Sequence, residues 1–404
     1  MGLGLVLGLV LNAVGTDGLI ANFVLEGIFQ VVGAIFLASL KLLVVPLVFV
    51  SLVCGTASLE DVSKLGRVGG KTLGLYVMTT AIALTLAVLA AVVVQPGANF
   101  DLITDATYRA TTPPTFAETL VGLFPTNPIR AMAEGNMLQI IVFSVLFGLA
   151  VTLSGERGKR VLAVFEDLNA VILRLVMMLM SLAPIGVFCL IARVFALQGL
   201  DAIDNLAMYF VLVLAVLVLH ASVIYPTLLM LFAHLSPLAF FRSMRNPLAV
   251  AFSTASSNAT LPITMENAEK RLGADRSITS FTVPLGATIN MDGTAIMQGV
   301  ATGFIAQAYG IDIGLGGYVT VVVTATLASI GTAGVPGVGL VMLAMVLRQV
   351  NLPVEGIGII IGVDRLLDMV RTAVNITGDS AVTCIVAKSE GQLSLDTYER
   401  RTQD

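Results

Sequence analysis

Apolar runs of membrane-spanning length follow one another along almost the whole of this chain, and they leave one broad class of fold open. A spanning helix needs about 20 predominantly apolar residues. The runs lie at 28–56, 70–95, 116–153, 160–198, 206–234, 278–308 and 354–387, with a shorter one at 1–15. Only 12% of the residues are charged and mean hydropathy is +0.95. Soluble domains carry about 25% charged residues, so this composition cannot furnish a water-facing globular surface. Alternating polarity with short turns is missing, which argues against an outer-membrane barrel. The expected class is an all-α membrane protein. Cys54, Cys189 and Cys384 all fall in apolar segments and read as free thiols. No A-x-A-like cleavage site follows the first run, so it is expected to remain as a first helix.

Two further apolar segments are broken. Residues 238–270 contain Ser253-Thr-Ala-Ser256-Ser257-Asn258-Ala-Thr260-Leu-Pro262, and 315–348 contain Ala328-Ser329-Ile330-Gly331-Thr332-Ala-Gly334-Val335-Pro336-Gly337. Proline and clustered small polar residues end or kink helices. Each segment reads as two half-helices meeting at a re-entrant tip. Each is followed by a helix with a polar string, first Asn290-Met291-Asp292-Gly293-Thr294, then Asn375-Ile-Thr-Gly378-Asp379. Interrupted segments in matching positions point to the binding site of a repeat-built transporter. Both strings are expected to unwind their helices locally. The total becomes eight transmembrane helices plus two re-entrant hairpins, arranged as inverted repeats.

Charge placement orients that array. Lys64, Arg67 and Lys71, then Arg157, Lys159 and Arg160, then Arg242 and Arg245, Lys270, Arg271 and Arg276, and Lys388, Arg400 and Arg401 all fall on one side. The opposite loops carry Asp101, Asp105, Asp201, Asp204 and Glu355. The positive-inside rule makes the basic side, with both termini, cytoplasmic. The expected location is the cell inner (plasma) membrane, multi-pass.

The polar strings suggest chemistry. Ionisable residues at membrane depth are expensive and mark ion or substrate paths by default. Asp292 and Asp379 stand beside Asn and Gly, and carboxylate, amide and freed carbonyl oxygens form a hard oxygen site. Sodium suits it better than a divalent ion, because few carboxylates cluster. Arg371 lies three residues after Asp368 and four before Asn375, so Asp368, Arg371, Thr372 and Asn375 share one helical face. A guanidinium fork there holds a carboxylate, Asp368 suits an ammonium group, and Asn375 suits a second carboxylate. The plain alternative is an Asp368–Arg371 salt bridge that locks the helix. Half-helix N-termini at the tips offer free N–H groups to anions, aided by Ser256, Ser257 and Asn258. Tyr76, Thr79 and Thr80 make a polar stripe that alone reads as interhelical hydrogen bonding. His220 and His234 have no partner visible in the sequence. No nucleophile–base pair or metal cluster suggests an enzyme, and nothing suggests nucleic acid.

Taken together, the Ser-Ser-Asn-Ala-Thr-Leu-Pro tip, Asn-Met-Asp-Gly-Thr, Gly-Thr-Ala-Gly-Val-Pro-Gly and Asp-Met-Val-Arg-Thr-x-x-Asn-x-Thr-Gly-Asp resemble the dicarboxylate/amino acid:cation symporter family over essentially the whole chain. That family includes the excitatory amino acid transporters and prokaryotic glutamate/aspartate transporters. The resemblance implies a homotrimer in the lipid bilayer, with uptake of a small acidic amino acid coupled to co-transported sodium ions. It implies a scaffold at 1–67 and 116–198, and a transport domain at 68–115 and 199–390 that moves as an elevator. Residues 391–404 would be a cytoplasmic tail. By position, Arg371 and Thr294 would hold the side-chain carboxylate, and Asp368 and Thr372 the amino group. Ser256, Ser257 and Asn375 would serve the α-carboxylate, with backbone from Val335 to Gly339. One sodium would use Asn290, Asn375 and Asp379. A second would use Tyr76, Thr79, Thr80, Asn290, Met291 and Asp292. A third would use backbone at Thr288, Ser329, Ile330 and Thr332. Relatives often carry a second arginine where this chain has Ala255 or Met369, and animal members a glutamate where it has Gln298. These departures bear on the aspartate–glutamate preference and on potassium counter-transport. A C4-dicarboxylate cargo, or proton coupling on the same fold, is the alternative.

Overall fold

The computed structural model describes residues 2–14, 20–57, 65–98, 124–198, 201–330 and 334–399. Helices carry nearly all of it. They are α1 (Gly2–Val14), α2 (Gln30–Ala57, preceded by a π-helical stretch Ile20–Phe29), α3 (Leu65–Val94), α4 (Pro128–Glu134), α5 (Met137–Leu153), α6 (Gly155–Met180) and α7 (Ala183–Gln198). Then come α8 (Asp201–Leu219), a π-helical turn His220–Ile224, and α9 (Tyr225–Ala233). The remainder are α10 (Pro237–Ser243), α11 (Arg245–Thr254), α12 (Ser257–Lys270), α13 (Arg276–Ile289), α14 (Asp292–Ala308), α15 (Gly314–Ser329), α16 (Val338–Gln349), α17 (Ile357–Ser389) and α18 (Leu395–Glu399).

Local chemistry sets many of these ends. Asn127, Asn136, Ser236, Ser256 and Asp275 each accept backbone N–H bonds at a helix start, which satisfies donors the helix itself leaves open. Pro128 and Pro237 occupy first-turn positions, where a missing N–H does no harm. Pro184 sits just inside α7, and α6 and α7 meet there at a bend of 47°.

Among the described residues, three helical stretches are long and apolar enough to cross a membrane: Phe23–Ala57, Arg67–Val94 and Leu206–Ala233. The bent α6–α7 pair passes the same test as one span. Stripes of exposed apolar side chains run along them, such as Val211, Val218 and Leu231, and they suit lipid rather than water. At 33 residues α17 is long enough to span, but Asp364, Arg365, Asp368, Arg371 and Asp379 lower its apolarity.

α2 packs mainly on α5, α6 and α7, and α1 on α7. α14 packs on α3 and α17, while α13, α11 and α9 also pack on α17. α14 is buried on every side through most of its length. Gly299 and Gly303, one turn apart, let it approach Ala87 and Ala91 of α3, where an added Cβ would stand 2.8 and 2.6 Å from theirs. Between the two sets, Lys41 of α2 binds Glu355, ahead of α17, at 2.7 Å.

The two broken segments fold as helix–turn–helix units, α11–α12 and α15–α16. At the first tip Ala255 takes φ +50°, a left-handed conformation that disfavours a non-glycine residue. Residues 331–333 of the second tip lie outside the described residues, and Gly337 closes it at φ +84°. Residues 391–399 are no loose tail. Asp275 N–H donates to Gln392 O at 2.9 Å, Ser394 N–H to Gly273 O at 2.8 Å, and buried Tyr398 donates through its hydroxyl to Ser236 O at 3.0 Å.

Candidate functional site

The two polar strings meet, but they are built differently. Between α13 and α14 the helix opens at Asn290 (φ −89°, ψ 90°) and Met291 (φ −115°, ψ 44°). The second string does not open, because α17 runs unbroken from Ile357 to Ser389. The expectation of local unwinding at Asn375–Asp379 is therefore corrected. Gly378 is small for another reason: a Cβ there would lie 2.6 Å from Tyr225 Oη and collide with Asn290 Nδ2. Its role is close approach, not backbone freedom.

Side chains of α17 fill the opening in its partner. Asn375 Oδ1 accepts the Gly293 N–H at 2.8 Å, and Asn375 Nδ2 lies 3.3 Å from Met291 Sδ. Asn290 Nδ2 donates to Asn375 O at 3.0 Å and to Asp379 Oδ1 at 2.8 Å. That leaves Asn290 Oδ1 fully buried, with no hydrogen-bond partner among the described residues. A buried acceptor without a donor costs roughly 1–3 kcal/mol, and a cation removes that penalty. Gly286 of α13 is hollowed out for Asp379 and Tyr76, since its Cβ would stand 2.6 Å from Tyr76 Oη.

Asp292 is wholly buried and accepts three bonds. Thr80 donates to Oδ1 at 2.6 Å, Tyr225 donates to Oδ2 at 2.8 Å, and His220 Nε2 lies 3.2 Å from Oδ2. The stripe on α3 thus enters the site. Thr79 is buried too, but its hydroxyl bonds back to Tyr76 O. Tyr76 donates to Thr282 O at 2.9 Å, and its hydroxyl and Asp379 both adjoin Gly286. His220 and Tyr225 were absent from the residues the sequence singled out as partners; Pro226, well inside an apolar run, was the available signal of a distorted helix there.

Arg371 is the largest fully buried side chain among the described residues. Its Nη2 donates to Asp368 Oδ1 at 2.9 Å, and Nη1 lies 2.9 Å from Asp364 Oδ1 at ion-pair distance but off the hydrogen-bond line. Nε and Nη1 have no hydrogen-bond partner among the described residues. The helix lock through Asp368 is thus present, yet the fork is not used up. Asp364, one turn before Asp368, was not singled out in the sequence. Thr294 and Gly339 adjoin the fork: a Cβ on Gly339 would be 3.3 Å from Thr294 Cγ2 and 3.7 Å from Arg371 Nη1. Thr372 is buried and bonds back to Asp368 O.

The hairpin tips touch each other above this cluster. Ser256 Oγ donates to Gly334 O at 2.8 Å and accepts from Ala259 N–H at 3.2 Å, and Asn258 N–H donates to Gly334 O at 3.2 Å. Ser256 is thereby occupied within the protein, while Ser257 is buried at the start of α12. Val335 is partly buried beside Gly334. Among the described residues, those of the third sodium set bond within their own helices and not to one another. Thr288 Oγ1 donates to Leu285 O, Ser329 Oγ to Thr326 O, Ile330 O faces Gly55, and Thr332 lies outside the described residues.

Buried carboxylates beside an orphaned amide oxygen, a partly free guanidinium and touching helix–turn–helix tips, inside a helical bundle with lipid-suited faces, define a membrane transporter. The model of the sodium:dicarboxylate symporter family matches residues 1–389, and the chain belongs to that family. The proton/sodium-glutamate symport protein of Bacillus caldotenax is 37% identical over 399 residues, covering 96% of this chain and 93% of the relative. The proton/glutamate-aspartate symporter of Escherichia coli (strain K12) is 38% identical over 409 residues, covering 96% and 91%. The C4-dicarboxylate transport protein of Rhodospirillum rubrum is 36% identical over 377 residues, covering 90% and 83%.

Proposed function

We propose that this symporter takes up acidic amino acids, aspartate or glutamate, driven by sodium. The observation that carries the reading is the pairing of two unmet demands in one buried cluster. Arg371 keeps Nε without a hydrogen-bond partner among the described residues, and its Nη1, though ion-paired with Asp364 at 2.9 Å, makes no aligned hydrogen bond, which suits a carboxylate; Asn290 Oδ1 stands orphaned beside Asp379, which suits a cation. Asp368, with only Oδ1 engaged by Arg371, has a second oxygen for an ammonium group. A C4-dicarboxylate would leave that oxygen without a donor, although the Rhodospirillum rubrum relative is named for such cargo.

Eight spans with two re-entrant hairpins, a homotrimer, cytoplasmic termini and an elevator movement of α3 and α8–α17 against α1, α2 and α4–α7 belong to the same proposal. Each set packs mainly within itself, with α16 on α2 and α17 on α7 as the main contacts between them, and this supports it. Uptake of labelled aspartate, glutamate and succinate into proteoliposomes, with and without an inward sodium gradient, tests it. Aspartate or glutamate uptake that collapses without sodium is expected. Succinate uptake exceeding both, or uptake driven equally by a proton gradient alone, would overturn the cargo or the coupling ion.

A further inference from the structure

The turn between α8 and α9 is π-helical: the Tyr225 N–H bonds to His220 O, five residues back. In an α-helix, at 3.6 residues per turn, positions i and i+5 stand about 140° apart. They cannot then address one atom. The wider π turn places i+5 nearly above i, and such single turns concentrate at functional sites. Here both side chains reach the same oxygen. Tyr225 Oη and His220 Nε2 lie 2.8 and 3.2 Å from Asp292 Oδ2, and the two rings meet edge to face with centroids 4.7 Å apart. Pro226 supplies the local cause, since it has no N–H for an α-helical bond and its ring clashes with the turn before it.

The arrangement carries a penalty that packing alone does not explain. A carboxylate accepts, so the His220 Nε2 that faces it carries a proton. The ring's Nδ1 is buried with no hydrogen-bond partner among the described residues. The gain lies at Asp292. A carboxylate has about four lone-pair sites. Thr80, Tyr225 and His220 take three of them and hold the group from both oxygens. One direction is left, which suits a single bond to a cation.

We propose that His220 and Tyr225 are positioning residues for a sodium site at Asp292, set on one oxygen by the π turn. The inference rests on the sodium-coupled reading above. Groups that orient a metal ligand typically change metal affinity about 10- to 100-fold when removed. The full-length protein in proteoliposomes gives the test, with half-saturating sodium for aspartate uptake as the readout. His220→Leu and Tyr225→Phe should each raise it about tenfold or more, and the rate should recover at high sodium. His220→Gln, whose amide donates to the same oxygen, should restore most of the lost affinity. Asp292→Asn serves as the reference. If Asp292→Asn raises half-saturating sodium while His220→Leu and Tyr225→Phe leave it unchanged, the positioning role is wrong and sodium coupling stands. A loss of rate or thermal stability in both variants with unchanged sodium dependence likewise reduces the pair to packing. If His220→Leu does not fold, Tyr225→Phe and His220→Gln decide the matter alone. If Asp292→Asn shows no sodium effect either, no sodium site lies at Asp292 and the proposal falls with it.

Discussion

The helix pair α13–α14 and the helix α17 bring the same residue types face to face and use them to opposite ends. The first breaks at Asn290–Met291 and exposes backbone. The second stays whole and offers side chains, with Asn375 capping the freed Gly293 N–H and Asp379 held by Asn290. Glycine follows the same division. Gly293 lies so close to Arg371 that a Cβ would be 2.8 Å from its Cα, and Gly378 lies against Asn290 and Tyr225. One partner contributes acceptors by losing helix; the other keeps its helix and fills the gap. Irregular backbone at membrane depth survives only where protein satisfies it, so the intact helix is what permits the broken one.

If charged work resides on the intact helix, the largest loss comes from removing its guanidinium. Arg371→Ala strips the partner from Asp364 and Asp368 and should lower uptake of acidic substrates at least about 100-fold. Breaking a buried ion pair costs about 3–5 kcal/mol. Labelled aspartate uptake checks this, with trimer or monomer elution compared to exclude misfolding. Near-native affinity in the folded variant would remove Arg371 from the substrate site. Thr294→Ala, on the broken side of the comparison, should cost far less.

Asp379→Asn sharpens the comparison next. This α17 carboxylate faces Asn290 rather than Arg371, so sodium should suffer more than substrate. Half-saturating sodium is expected to rise about tenfold, with aspartate affinity partly recovered at high sodium because coupled ligands shift each other reciprocally. Binding titrations at two sodium concentrations measure it. A loss of aspartate affinity equal at both would make Asp379 a structural acid.

Gly378→Ala separates close approach from backbone freedom. Were Gly378 a hinge, alanine would raise helix stability by up to about 1 kcal/mol. The collision with Asn290 and Tyr225 instead predicts destabilisation, since overpacking costs typically about 1–3 kcal/mol. Thermal unfolding of the detergent-solubilised protein should show a lower midpoint, and an unchanged or raised one would restore the hinge.

Much of this was legible in the sequence because membrane burial makes polar residues conspicuous. The first hairpin tip and the break at Asn290–Met291 carry Pro, Gly or clustered small polar residues, and each lies where those residues pointed; at the second tip, 331–333 lie outside the described residues, though α15 ends before them and α16 begins after. Asn375–Asp379 misled because Gly and Asn have two uses, freeing the backbone or letting another helix come near. Sequence spacing does not distinguish them; only the facing Tyr225 and Asn290 do. His220 escaped for a related reason. Its partner lies 72 positions away, and no periodicity within its own helix points there. Asp364 was hidden by proximity, since Asp368 at the shorter spacing already accounted for Arg371. The α3 stripe lay between these cases: visible as polarity, but given meaning only by Thr80 reaching Asp292.

The smallest expected effect lies at the end of α17, where the intact helix meets α3 outside the apolar region. Glu390 pairs with Lys71 at 2.7 Å and with Arg67. The bond from Lys71, followed by that from Arg67, holds its carboxyl below the ordinary glutamate range. A depressed folded-state value means that the unfolded chain binds the proton more readily. The contribution is therefore fully present above the ordinary value near 4.5. It fades as the pH falls through the lowered folded value. The Glu390 side chain is covered but both cations stay open to solvent, and pairs with such solvated partners are weak and screened by salt. Glu390→Gln should thus lower the unfolding midpoint slightly at neutral pH and low salt. The gap from the parent should close both at acidic pH and at high salt. A gap that persists at high salt would mean that Glu390 ties α3 to α17 through packing, and the helix that fills its broken neighbour would then be anchored by shape rather than by charge.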